Sequence, residues 1–187
     1  MDVSIRPYRL DDAGHLFEAA RESTAEVFPS LPWCHADYKI EEAREWIAKQ
    51  VESFEQLSEF EFVIESPEGR FLGGCGLNLI NSMHLCANLG YWVRSSAAGH
   101  GVASAAVRVL ARWAFANTDL ERLEILTVVE NVRSQRVAEK AGAQREGVAR
   151  SRLRLHDRSH DAVVYSIVRP DHRPLDLGRI NARPARS

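Results

Sequence analysis

Apolar residues recur at helical spacing in four parts of the chain. The most regular stretch begins just after residue 101, where one helix face is apolar throughout: Val102, Ala105, Ala106, Val109, Leu110, Trp113 and Ala114. The same spacing over shorter runs predicts helices at residues 12–23, 40–53 and 134–141. Gly142 follows the last of these, at the position where a glycine commonly ends a helix.

Short apolar and alternating runs predict seven strands around these helices. Pro67-Glu68-Gly69 is a turn sequence that suits a hairpin between two of them. Because helices interrupt the series of strands, the order predicts an α/β fold whose mixed sheet has antiparallel and parallel parts. The predicted strands cover residues 3–9, 60–65, 71–80, 86–93, 123–129, 151–155 and 161–168.

Length and composition favour a single globular domain. The chain has 187 residues, of which 45% are hydrophobic and 27% are charged, as in ordinary soluble proteins. We expect the domain to cover residues 1–169 and a tail containing arginine and proline to cover 170–187. The apolar runs are far shorter than the roughly 20 residues of a membrane span. Together with a polar N-terminus, this predicts a cytoplasmic protein without a membrane partner.

The cysteines and the net charge exclude some classes of protein. Cys34, Cys75 and Cys86 show no metal-ligand spacing, so we expect neither a disulfide framework nor a metal site. The net charge is −2, but residues 1–132 hold 20 acidic and 11 basic residues, whereas residues 133–187 hold 6 and 13. The acidic part suits a cationic partner and the basic part an anionic one. The alternative is that both are solvated surfaces. The basic part lacks a recognition motif, so nucleic acid is not an expected partner.

Residues 89–104 place a strand, a glycine-containing turn and a helix start in succession. A helix start leaves backbone N–H groups unpaired, and Gly99 and Gly101 keep side chains away from them. This pattern predicts a pyrophosphate-binding turn, with a simple tight turn as the alternative. It is not a P-loop, because Val102 stands where that motif has lysine, and Ser104 replaces the third glycine of a dinucleotide fingerprint.

A second segment, after the strand at 123–129, adds to this pattern. Together the two segments contain Gly90-Tyr91-Trp92, then Gly99-His100-Gly101-Val102-Ala103, then Asn131 and Ser134 before a short helix. They resemble the GCN5-related N-acetyltransferase (GNAT) superfamily, in particular its branch of ribosomal-protein N-terminal acetyltransferases (RimJ/RimL type). The order of elements matches from about residue 3 to residue 168. The resemblance implies a mostly antiparallel sheet of about seven strands, splayed in the middle and flanked by about four helices.

The resemblance also implies where acetyl-CoA binds and how it reacts. The cosubstrate lies where strand 86–93 splays from strand 123–129, and an amine attacks the thioester directly in a ternary complex. Backbone N–H groups near Val93 stabilise the oxyanion, and Ser134 acts as the general acid; its alternative role is to satisfy backbone amides at a helix start. The implied cofactor-binding residues are Tyr91, Trp92, Val93, Gly99, His100, Gly101, Val102, Ala103, Ser104 and Asn131.

The general base is left unassigned by the sequence. Asn88 and Leu153 stand where relatives often have glutamate, and neither side chain takes a proton. Glutamate or histidine acting through water remains open, as does a substrate amine that needs little help, such as a protein N-terminus. The substitutes that the sequence offers are His84, Glu61 and Glu130.

The acceptor side is predicted from charge and aromatic residues. Residues 10–68 hold 15 acidic and 4 basic residues, a net charge of −11 that favours a cationic, amine-bearing acceptor. Phe28, Trp33 and Trp46 are expected to line its pocket. The leading hypothesis is an acetyltransferase of a protein N-terminal amine. The alternatives are acetylation of a small amine, such as an amino acid, polyamine or antibiotic, or a non-catalytic acyl-CoA-binding module; the oligomeric state, including a homodimer, is open.

Overall fold

Residues 2–169 are described by the computed structural model. Short 3-10 turns at Leu10–Asp12 and Ser95–Ala97 precede α1 and α3. The predicted tail at 170–187 lies outside the described residues. The elements, in chain order, are β1 (Ser4–Pro7), α1 (Ala13–Val27), α2 (Ile40–Glu55), β2 (Phe60–Glu65), β3 (Phe71–Asn81), β4 (Cys86–Val93), α3 (Val102–Asn117), β5 (Arg122–Val128), α4 (Val132–Ala141), β6 (Gln144–Leu155) and β7 (Arg158–Val168).

The seven strands within residues 2–169 form one sheet in the order β1-β2-β3-β4-β5-β7-β6. Neighbouring strands are antiparallel except β4 and β5, which run parallel with α3 as the crossover between them. This arrangement confirms the predicted mixed, mostly antiparallel α/β sheet with four helices. Within residues 2–169, no helix is long and apolar enough to cross a membrane.

Each face of the sheet carries its own core, because successive strand residues point to opposite faces. On one face, Phe62 and Ile64 of β2 pack with the apolar stripe of α3 around Leu110. On the other face, Val63 packs with α1 and α2, including Leu16 and Ile47. The helices therefore cover the sheet on both faces.

The main departure from the predicted elements is β6. It begins at Gln144, seven residues before the predicted start at 151. Most side chains of β6 are exposed, because it is an edge strand, and its register shifts after Arg145 and again after Ala149. These irregularities break the period-2 alternation of apolar residues on which the prediction rests.

Arg169 closes the described chain by binding the region between α3 and β5. Its guanidinium donates to the carbonyl oxygens of Phe115 (2.7 Å), Thr118 (2.8 Å) and Leu120 (2.6 Å). It also pairs with the carboxylate of Glu121 at 2.8 Å. The end of β7 is thereby joined to the loop that connects the two halves of the sheet.

Candidate active site

A cleft opens in the sheet where β4 and β5 diverge. The strands pair from Cys86 with Arg122 to Asn88 with Glu124, and residues 2–169 contain no further pair between them. Beyond Asn88, β4 continues to Val93 and stays paired with β3 on its other side. The unpaired edge of β4 presents backbone N–H and C=O groups to a ligand with amide groups of its own.

Two glycines shape the turn that precedes α3. Gly99 and Gly101 both have φ of +81°, where an L side chain would be strained. A Cβ at either position would meet nothing within 4 Å, so both face open space. Gly101 is the N-cap residue of α3, and no side chain in the described part of the chain caps this helix start. The first-turn N–H groups, at the positive end of the helix dipole, therefore suit an anion.

Residues of α1 anchor the loop between β4 and this turn. Arg94 forms an ion pair with Glu22, and the backbone N–H of Ser96 donates to the same carboxylate at 2.7 Å. The backbone N–H of Ser95 donates to Ser23 Oγ at 2.9 Å. The hydrogen bond from Arg94 lowers the pKa of Glu22 to about 2. No sequence motif indicates these contacts, because the partners lie far apart in the chain.

The hydroxyl groups of Tyr91 and Ser134 meet across the cleft, joining β4 to α4. Tyr91 OH donates to the backbone oxygen of Ser134 at 3.0 Å and lies 2.9 Å from Ser134 Oγ. Burial raises the pKa of Tyr91 to about 12, so its hydroxyl stays protonated at neutral pH. Sequence reasoning selected Tyr91 for its backbone and missed this side-chain contact.

Asn131, rather than Ser134, caps α4. Its Oδ1 accepts a hydrogen bond from the backbone N–H of Ser134 at 3.0 Å. Its Nδ2 donates to Ser30 Oγ at 2.8 Å, so both ends of the amide have partners within the protein. The contact with Ser30 ties the loop after α1 to the α4 side of the cleft. Asn131 therefore shapes the cleft, and the Ser134 hydroxyl is not needed as a cap.

An aromatic pocket lies on the other side of β4, between the sheet and α1 and α2. It has a volume of about 600 Å³, and β4 contributes Gly90, Tyr91 and Trp92 to its lining. The Trp33 and Trp92 rings pack at 5.2 Å between centroids. The remaining residues lining the pocket include Leu16, Leu31, Tyr38, Glu42, Glu45, Trp46, Lys49, Glu61, Cys75 and Asn78.

The aromatic residues predicted for this pocket separate into two groups. Trp33 and Trp46 line it as expected, and Trp46 also packs edge-on against Tyr8 at 5.0 Å between ring centroids. Phe28 does not line it: its ring packs on His156 at 4.5 Å, in the hairpin between β6 and β7. Phe28 thus helps the loop after α1 reach across the cleft.

Of the three substitutes for the general base, Glu61 alone lies in the pocket. His84 is exposed in the turn between β3 and β4, and Glu130 is exposed just after β5. Burial of the Glu61 carboxyl raises its pKa to about 7. Asn88 and Leu153 have no titratable group. The side chain of Asn88 donates to Asn78 Oδ1 at 2.9 Å, and Leu153 of β6 pairs with β7.

The described residues show no group of three or more His, Cys, Asp or Glu side chains that could hold a metal ion. Cys34 and Cys75 are buried and Cys86 is partly buried, each as a free thiol. Burial raises the pKa of Cys75 well above its usual value.

The sequence matches a known family. The model of the acetyltransferase (GNAT) domain matches residues 2–144. The chain belongs to this family. It is therefore an acetyl-CoA-dependent N-acetyltransferase of the GNAT type.

Individual relatives agree with this membership. The acetyltransferase is 29% identical over 173 residues to "Probable N-acetyltransferase YjcK" of Bacillus subtilis, covering 90% of this chain and 95% of the relative. It is 29% identical over 99 residues to the ribosomal-protein-serine acetyltransferase of Escherichia coli, covering 53% of this chain and only 55% of the relative. The structure of RimJ from Mycobacterium smegmatis, in complex with CoA-disulfide, superposes with a TM-score of 0.83 at 24% identity, over 90% of this chain and 83% of that one. That last similarity supports the fold.

Proposed function

We propose that this acetyltransferase transfers the acetyl group of acetyl-CoA to the N-terminal amine of a protein, in a ternary complex. The observation that carries the proposal is the position of β4 between two sites. The cleft and the glycine turn lie towards α3, and the aromatic pocket lies towards α1 and α2. The name of the Escherichia coli relative, a ribosomal-protein-serine acetyltransferase, supports a protein acceptor.

Three features of the chain suit acetyl-CoA. The N–H groups from Gly99 to Ser104, including those of His100, Val102 and Ala103, suit its pyrophosphate. The free edge of β4 at Tyr91, Trp92 and Val93 suits the amides of its pantetheine arm. Thr127, on β5 beyond the last pair with β4, has a buried hydroxyl without a partner among the described residues. A buried, unpaired hydroxyl beside a cleft favours a polar ligand there.

Bound acetyl-CoA supplies the activated acyl group. The acceptor nitrogen forms the C–N bond to the acetyl carbon while the C–S bond breaks, the nitrogen loses a proton and the CoA sulfur gains one. Backbone N–H groups near Val93 stabilise the oxyanion in this proposal. Ser134 gives its proton to the leaving sulfur and recovers one from the nitrogen, and the protonated hydroxyl of Tyr91 holds Ser134 in place.

The test uses labelled acetyl-CoA, the purified protein and a bacterial lysate that is separated into proteins and small molecules after reaction. Label on the α-amine of a protein, located by mass spectrometry, is the expected result. Heat-inactivated protein is the control for acetylation by lysate enzymes. Label confined to lysine side chains or to small molecules contradicts the protein N-terminal acceptor.

A small amine is the second candidate acceptor, and the aromatic pocket favours it. Its volume of about 600 Å³ lies within the range of small-molecule sites, roughly 300–1,000 Å³. Aromatic rings such as Trp33 and Trp92 also attract cationic amines. The small-molecule fraction of the same lysate distinguishes this candidate from the protein acceptor.

A further inference from the structure

Glu61 occupies one row of residues across three strands. It pairs with Gly76 of β3, and Gly76 pairs with Gly90 of β4. Neighbouring strands lie about 4.8 Å apart, so the row leads from Glu61 to β4 in two steps. The two residues that follow Glu61 in this row, towards the proposed acetyl site, are therefore glycines.

The carboxyl group of Glu61 lies directly over Gly76. A Cβ at Gly76 would lie 2.1 Å from both Cδ and Oε2 of Glu61, which is far inside contact distance. The next glycine, Gly90, is open on this face: the nearest atom to a Cβ there would be Asn88 Nδ2, at 4.0 Å. Gly76 makes room for the carboxyl group of Glu61. Gly90 leaves the neighbouring surface of β4 free of a side chain.

A short chain of amides orients this carboxylate. Asn88 Nδ2 donates to Asn78 Oδ1 at 2.9 Å, which directs the NH₂ group of Asn78 away from Asn88. A hydrogen bond from the Asn78 side chain to Glu61 acts against the effect of burial on the Glu61 pKa. The Asn88 side chain therefore helps to orient the Glu61 carboxylate and does not itself transfer a proton.

The titratable groups around Glu61 are either kept neutral by burial or are charged residues of α2 and Glu59. Burial keeps Tyr8 and Cys75 protonated, and the charge of Glu61 adds to this effect. Tyr38 and Tyr91 are likewise held protonated by burial. Glu59, just before β2, raises the pKa of Glu61 through repulsion. The charged groups that α2 contributes to the pocket lining are Glu42, Glu45 and Lys49.

We propose that Glu61 is the general base of this acetyltransferase, taking a proton from the acceptor's ammonium group before the amine attacks. The assignment rests on the proposed function, because it needs the acetyl group to lie along β4. The gap of one strand spacing, about 4.8 Å, accommodates the acceptor nitrogen or one water between the carboxylate and β4.

Protons and bonds balance in this scheme. Glu61 takes the first proton from the ammonium group, leaving a neutral amine. The amine forms the C–N bond as the C–S bond breaks, and its second departing proton reaches the CoA sulfur by way of Ser134. Glu61 returns its proton to solvent. The sum is an ammonium group and acetyl-CoA giving an acetamide, the CoA thiol and one proton.

The Glu61 environment suits this task. A general base is most effective when its pKa lies near the working pH. Burial, opposed by the Asn78 hydrogen bond, brings the pKa of Glu61 to about 7. We expect kcat/KM of the wild-type enzyme to rise with pH as Glu61 ionises and to level off above about pH 7.

The test compares Glu61→Gln with the wild-type enzyme, using a decapeptide with a free N-terminal serine and phenethylamine as probes. At about pH 7, the variant is expected to lose kcat/KM by roughly 100-fold, while its Kd for acetyl-CoA stays within about 3-fold. At about pH 9.5, where much of the amine is already neutral, the loss is expected to shrink to less than about 10-fold. A purely structural role would not produce this recovery.

Two further variants keep the test decisive. Gly76→Ala displaces the carboxyl group without removing it, and because only the end of a flexible side chain must move, the fold is expected to survive with kcat/KM reduced at least about 10-fold. Glu55→Gln removes an exposed carboxylate at the end of α2, outside the pocket lining, and is expected to stay within about 3-fold of wild type.

The outcomes separate the two proposals. If the wild-type enzyme transfers acetyl to a probe and Glu61→Gln keeps its kcat/KM at about pH 7, the Glu61 assignment is wrong while the proposed function stands. Equal losses at both pH values also overturn the assignment. If wild-type protein that binds acetyl-CoA transfers acetyl to neither probe and to nothing in the lysate, the proposed function fails and Glu61 has no reaction to serve.

Discussion

At the scale of single residues, the site depends on side chains whose partners lie far away in the chain. Ser134 was predicted from the motif around it, and the structure places it within 3.0 Å of the Tyr91 hydroxyl. The Tyr91 contact and the room that Gly76 makes for Glu61 could not be predicted, because each depends on strand register. A sequence identifies residue types and spacing, whereas cross-strand neighbours depend on the completed sheet.

Replacing Ser134 with alanine tests its role as proton donor. We expect kcat to fall by roughly 10- to 100-fold while the Kd for acetyl-CoA changes by less than about 3-fold. The fold should be kept, because Asn131 caps α4 through the backbone of residue 134. Steady-state kinetics and calorimetric binding measure the two effects. Tyr91→Phe, which removes only the partner hydroxyl, is expected to reduce kcat less, and an unchanged kcat in Ser134→Ala would contradict the role.

The raised pKa of Glu61 also determines whether this residue raises or lowers the free energy of unfolding as pH changes. Its pKa is raised from 4.5 to about 7 in the folded protein. The unfolded chain therefore releases this proton at lower pH than the folded protein does, and Glu61 lowers the free energy of unfolding as pH rises through this interval. The full effect is about 3 kcal/mol.

We expect Glu61→Gln to be more stable than wild type above about pH 7, by up to about 3 kcal/mol, and to lose that advantage below about pH 4.5. Urea unfolding at a series of pH values measures the difference. Glu55→Gln, which removes an exposed carboxylate, is the matched control. A difference that does not depend on pH would show that the buried carboxyl group is not the cause.

At the scale of elements, the sequence was most informative where an element packs into the core. Helix α3 and strands β2 and β4 have the predicted apolar spacing, and the bounds Phe60–Glu65 and Cys86–Val93 agree with prediction. The start of β6 was missed because an exposed edge strand has few apolar positions. The glycine turn before α3 was predicted from the succession of a strand, two glycines and a helix start, and its open N–H groups follow from helix geometry.

Placing a carboxylate at the start of α3 tests whether an anion binds there. Ala103→Asp puts the acid in the first turn, where it interacts favourably with the helix dipole and the free N–H groups. We expect the melting temperature to stay the same or to rise, and affinity for acetyl-CoA to fall at least about 10-fold. Ala103→Asn, with nearly the same shape and no charge, should lose less. Equal affinity in all three proteins would place the pyrophosphate elsewhere.

At the scale of the whole molecule, charge separates the part of the chain that contains α1 and α2 from the rest. Residues 10–68 carry a net charge of −11, and they include both α1 and α2 beside the pocket. A negative field attracts cationic acceptors. It acts over about 10 Å at 0.1 M ionic strength, and added salt shortens this distance.

We expect KM for a lysine-containing acceptor peptide to rise several-fold between about 0.05 M and about 0.5 M NaCl, because salt screens this attraction. KM for a peptide of the same length with glutamate in place of lysine should stay the same or fall over that range. Steady-state kinetics at saturating acetyl-CoA makes the comparison. Equal salt dependence for both peptides would show that the acidic surface does not select the acceptor.

The strand order of the sheet has a consequence for how the protein is made. Strands β1 to β4 are neighbours in the sheet in the order in which a ribosome would release them, so each can join its predecessor as it emerges. Strand β7 is released last, yet it lies between β5 and β6, and Arg169 then joins its end to the loop before β5. The β5 wall of the cleft therefore lacks its neighbouring strand until β7 has emerged, whereas every residue that lines the aromatic pocket has been released by the end of β4.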